Sequence, residues 1–63
     1  MNVLMAFTRK RRNLIRIQRA YLTVAKQAVK DRDRIAFKRA HFRREALIAA
    51  VGRRFQADCE AAK

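Results

Sequence analysis

The stretch VKDRDRIAF, residues 29–37, decides how this chain is folded. Upstream of it, apolar residues recur at alternating steps of four and three: Val3, Phe7, Leu14, Ile17, Tyr21, Val24 and Ala28, with Lys10 the only polar member of the line. Such a line is the seam of a helix packed against another helix. Carried through residues 29–37 as one continuous helix, the seam would run on to Arg32, Arg39 and Arg53, a poor apolar stripe. The large residues downstream align instead as Phe37, His41, Arg44, Ile48, Val51, Phe55 and then Asp58 or Cys59. At 100° per residue this second stripe is rotated by roughly 150° from the first. A straight helix cannot turn both stripes to one core, whereas a chain that reverses near Asp31–Asp33 can. Asp33 (or Asp31) then caps the second helix, and Lys30 closes the first in favour with its dipole. No glycine or proline occupies the turn, so an unbroken helix over nearly all 63 residues is the competing architecture.

Working outward, the first helix is expected from Asn2, a good N-cap residue, to Lys30, a length of roughly 40 Å. A later start at Thr8 would put Arg9, Lys10, Arg11 and Arg12 in the first turn, where cations oppose the dipole. Leu4, Ile15, Leu22, Ala25 and Val29 widen its apolar face beyond a two-stranded seam, and so wide a face calls for two neighbours. Gln18 lies inside that face, as a flank or as an interhelix hydrogen bond that sets register. The second helix is expected from Arg34 to Glu60, matching the first in length, with Ala40 and Leu47 adding packing. Residues 61–63 read as a tail. On a separate side, Ile35, Phe42, Ala46 and Ala49 form a strip that a monomer would leave wet, which makes it the candidate protein interface. Gly52 within this helix costs up to about 1 kcal/mol relative to alanine.

Composition agrees with an all-α class. There is no proline and one glycine, and Ala, Leu, Ile, Arg and Lys dominate. The expectation is an antiparallel helical hairpin, one domain over residues 1–63, that dimerises into a four-helix bundle. Association is expected because 63 residues lie near the lower limit for a self-sufficient core, and one cysteine and one histidine cannot build a disulfide framework or a metal cluster.

Charge points to the partner. Seventeen Lys and Arg stand against five Asp and Glu, a net +12. Self-repulsion at this density is relieved by a polyanion or an acidic surface. Arginine outnumbers lysine twelve to five, which suits bidentate contact with phosphate or carboxylate, although a G+C-rich genome produces the same ratio. Residues 1–30 contain no acid at all. An ordinary solvated helix face interleaves signs for i,i+4 pairing, and this one does not. The candidate nucleic-acid-binding residues are Arg9, Lys10, Arg11, Arg12, Arg16, Arg19, Lys26 and Lys30 on the first helix, with Arg39 and Arg43 on the second.

No catalytic constellation, cofactor site or metal site is visible. The chain has no serine nucleophile and no glycine-rich phosphate loop, and its acids suit capping, the turn and local pairing. Arg44, at a seam position, must reach solvent or meet a carboxylate such as Glu45. His41 and Cys59 read as packed or edge residues. The stretch Val3–Phe7 is too short for a signal core, and no stretch is long enough to span a membrane. The chain therefore reads as a soluble cytoplasmic protein without enzymatic activity. The expected function is a nucleic-acid-binding regulator, on DNA or RNA, working through phosphate contacts. The competing reading is a phage- or plasmid-type regulator or inhibitor that docks its helices on an acidic or helical surface of a partner protein. Membrane binding by the basic first helix is the weakest of the three.

Overall fold

In the computed structural model, which describes residues 2–62, the chain forms two α-helices packed as an antiparallel hairpin: α1, Val3–Lys30, and α2, Arg34–Ala61. Asn2 begins α1 as its N-cap, with its side-chain Oδ1 accepting the Met5 amide hydrogen at 2.8 Å. An early start keeps the cations at 9–12 out of the first turn, where they would oppose the dipole.

The reversal takes three residues and needs no glycine. The Asp33 amide donates to the Ala28 carbonyl at 2.8 Å and the Arg32 amide to the Val29 carbonyl at 3.1 Å. These are the two bonds of a Schellman closure, which requires a left-handed residue between them. Arg32 supplies it, with φ of 53°. Asp33 then caps the next helix, its Oδ1 accepting from Ala36 at 3.0 Å while its carbonyl accepts from Phe37 at 3.1 Å. One residue thus ends α1 with its backbone and begins α2 with its side chain. Gln27 holds the remaining turn carboxylate, Asp31, from 3.1 Å.

Residues equidistant from this turn face each other. Arg9 meets Asp58 at 3.6 Å, the Phe7 and Phe55 rings lie 4.8 Å apart, and Arg44 lies across from Gln18 and Tyr21. The interior between the helices is narrower than the expected seams. The buried apolar residues are Ala6, Ala25, Ala28 and Ala40. On α1, Lys10, Leu14, Ile17 and Tyr21 of the expected seam are half-buried, but Val3, Phe7 and Val24 are exposed. On α2, occlusion falls on Ala36, Ala40, Arg44, Val51, Phe55, Asp58 and Cys59, while Phe37, His41 and Ile48 stand at the side. Much of that occluded line advances by four residues, a ridge that lets two helices approach through alanine. The large side chains are left on the flanks.

The outcome is a flat pair of helices measuring 48 × 15 × 7 Å between Cα atoms, with a radius of gyration of 14.6 Å. A compact chain of this length would have about 11 Å. Neither helix is covered on its outer side, and no second layer of packing is present in the single chain. The four-helix bundle is not part of what the single chain displays. Among the described residues no helix is long and apolar enough to cross a membrane.

Candidate nucleic-acid interface

Helical spacing distributes the cations of α1 over three positions. Arg12, Arg16, Arg19, Lys26 and Lys30 recur at steps of four and three with Thr23 completing the line, about half a turn from Leu14 and Tyr21. All are exposed. They form a row roughly 27 Å long on the side of α1 that faces away from α2. Arg11 is exposed too but lies on the line of Leu4 and Gln18, nearer one flank.

Arg9 and Lys10 have intramolecular partners. Arg9 Nη1 lies 3.6 Å from Asp58 Oδ2, and Arg54 Nε approaches the other oxygen of the same carboxylate at 3.5 Å. Lys10 Nζ sits 4.4 Å from the centre of the Phe55 ring, a cation–π contact that explains how a lysine can occupy a seam position. The charge of Lys10 serves the open end of the hairpin, where Phe55 is also packed on Phe7.

On α2, Arg39 and Arg43 cannot continue the outer row of α1, because the hairpin places α2 on the opposite side. They stand instead beside the groove that runs between the two helices. Arg44 lies deeper. Its guanidinium carbon is 4.2 Å from the centre of the Tyr21 ring, and its side chain is only 24% exposed. Gln18 Oε1 and Glu45 Oε1 each approach an Nη atom at 3.5 Å, the outer limit of a useful hydrogen bond. Arg44 Nε is buried without a partner. With both hydrogen bonds long, the Tyr21 ring is the main support of this guanidinium, which in turn covers one face of that ring.

Four of the five acids are engaged elsewhere. Asp31 and Asp33 serve the turn, Glu45 stands beside Arg44, and Asp58 holds Arg9 and Arg54. Among the described residues no carboxylate lies within ion-pair distance of Arg12, Arg16, Arg19, Lys26 or Lys30. A row of solvated cations with no internal counterion can exchange its mobile anions for the phosphates of a polyanion.

Ile35 and Phe42 are 66% and 69% exposed, and Ala46 and Ala49 are exposed beside them. Most of this strip lies on the side of α2 turned away from α1, while Ile35 also lines the groove between the helices. Among the described residues no group of three or more His, Cys, Asp or Glu side chains gathers as a metal site. The sequence pattern did not single out the interhelical groove, the Arg44–Tyr21 stack or the Lys10–Phe55 contact. Each depends on how far the two helices are rotated about their axes, which spacing alone does not fix. No protein-family model matches the chain, and no curated protein or solved structure matches it.

Proposed function

We propose that this chain is a non-enzymatic regulator that binds nucleic acid, with the outer row of α1 laid along the phosphate backbone and a second copy completing the helical bundle. The row Arg12, Arg16, Arg19, Lys26 and Lys30, free of acidic neighbours, carries the reading. Its five positive charges are presented by one rigid element, so binding need not order a flexible arm first. Phosphate contacts of this kind set affinity and register and leave sequence unread. Arg39 and Arg43 are secondary in this arrangement, since they face a different direction. Arg9 and Lys10 contribute through the field of the molecule more than through direct contact.

Self-association is supported by the alanine interior and by the exposed strip Ile35, Phe42, Ala46 and Ala49. A second copy packed there would supply the missing layer and leave the outer face of α1 open.

The test replaces Arg12, Arg16 and Arg19 together by glutamine and measures binding of a labelled DNA duplex and of a structured RNA at low salt. The expected result is a loss of at least tenfold for the nucleic acid retained best by the parent protein, with an unchanged sedimentation profile. Equal binding by parent and variant, or no retention of either nucleic acid, overturns the reading.

A further inference from the structure

A second concave surface lies between the helices and has a different chemistry from the outer row. Ile17, Tyr21 and Val24 of α1 and Ala36, Ala40 and Leu47 of α2 line an open groove of about 790 Å³. Arg39, Arg43 and Arg44 also border it, against one carboxylate, Asp33, which is committed to capping α2. We propose that this groove receives an amphipathic helix of a partner protein, with apolar residues along one edge and carboxylates beside them. This inference stands apart from the nucleic-acid reading and uses none of the outer row.

Four observations select that occupant. Between its bordering arginines the lining is apolar and alanine-rich, a surface that an apolar helix edge covers and a phosphate backbone would leave unused. One face of the Tyr21 ring is covered by Arg44 at 4.2 Å, which leaves that face closed to a base. A β-strand would need unpaired backbone groups to bond with, and those of two helices are already bonded within the helices, whereas a helix laid in the groove needs none. From Ile17 to Val24 the groove follows α1 for about 10 Å, which matches anchors at i, i+3 or i+4, and i+7 of a docked helix. Charge then decides the sign. A second copy seated here would bring arginine against arginine, whereas glutamate or aspartate flanking the apolar edge would meet Arg39 and Arg43 at the groove's border.

The probe is a fluorescein-labelled 21-residue peptide with leucines on one helical edge and glutamates on both flanks of that edge. Its control has the same composition rearranged so that the leucines share no face. Saturable binding below 100 µM in physiological salt is expected for the first peptide, and at least tenfold weaker binding for the second. Val24→Arg adds a cation while removing an exposed apolar wall, and is expected to weaken peptide binding at least tenfold. Arg39→Gln with Arg43→Gln is expected to do the same. The Arg12, Arg16 and Arg19 triple glutamine variant should bind the peptide within twofold of the parent. Far-UV circular dichroism checks that each variant keeps its helices.

Equal binding of the two peptides means charge attraction alone and overturns the proposal, as does unchanged binding by Val24→Arg or no saturation below 100 µM. If Val24→Arg converts a dimer to a monomer, the groove belongs to a second copy. If the Arg39 and Arg43 variant loses a labelled duplex as strongly as the peptide, the groove belongs to the nucleic-acid surface. Either result also overturns it.

Discussion

At the scale of single residues, the turn carries the fold. Asp33 closes α1 with its amide and opens α2 with its carboxylate, so Asp33→Ala removes the cap and leaves the Ala36 amide without its side-chain partner. The expected cost is about 1 kcal/mol in a denaturant titration. Arg32 sits at φ 53°, where a Cβ costs roughly 1–2 kcal/mol. Arg32→Gly relieves this, partly offset by the greater freedom of glycine in the unfolded chain, for a net gain of about 0.5–1 kcal/mol. Gly52 is the reverse case. A Cβ built there meets nothing within 4 Å and the residue lies inside α2, so Gly52→Ala should stabilise by about 0.5–1 kcal/mol. A lower melting midpoint for Gly52→Ala would show that another chain approaches this point. The capping roles of Asn2 and Asp33 were legible in the sequence, because short polar side chains before apolar-periodic runs have few other uses. The left-handed Arg32 was not legible. Residue type disfavours that conformation, and only the two closing bonds around it make it pay.

At the scale of the helices, α1 and α2 were not equally readable. Most apolar residues of α1 keep to one side and most of its cations to the other, so its outer row and the middle of its packing edge, Leu14, Ile17 and Tyr21, follow from spacing. The apolar residues of α2 are spread around the wheel, and the expected stripe is met in part: Arg44, Val51, Phe55, Asp58 and Cys59 lie on the occluded line, while Phe37, His41 and Ile48 stand at its side. The physical reason is the alanines. Ala6, Ala25, Ala28 and Ala40 permit a close approach that Phe37 and Ile48 would block, so the large residues are displaced sideways. A reading that turns bulk inward misplaces the seam by about one residue, as with Val24, which is exposed beside the buried Ala25. The Phe7–Phe55–Lys10 cluster at the open end tests this register. Phe55→Leu keeps apolar volume but removes the ring that Lys10 and Phe7 share. It should cost about 1–2 kcal/mol in the same titration, by loss of aromatic and cation–π contact.

At the scale of the whole molecule, one chain offers little core of its own. Four alanines are the buried apolar residues, and side chains such as Leu4, Phe42 and Val29 remain mostly in water. Net charge of +12 works against compactness as well. The melting midpoint should therefore rise with protein concentration, as it does when folding and assembly are linked. Phe42→Asp should lower the sedimentation coefficient and remove that concentration dependence. A midpoint independent of concentration over a hundredfold range, with a monomeric sedimentation profile, would count against assembly. Length and composition lead to an expectation of association, but which surface would serve it depends on helix rotation, which leaves apolar side chains open on several sides.

Phosphate binding by the outer row of α1 is the central proposal, and the salt dependence of duplex binding is its test. Five cations on phosphates give a log–log slope of about −4.5 for the parent protein. Removing Arg12, Arg16 and Arg19 should reduce it to about −1.8. A slope that stays the same in the triple variant, or a parent slope near zero, would contradict the account.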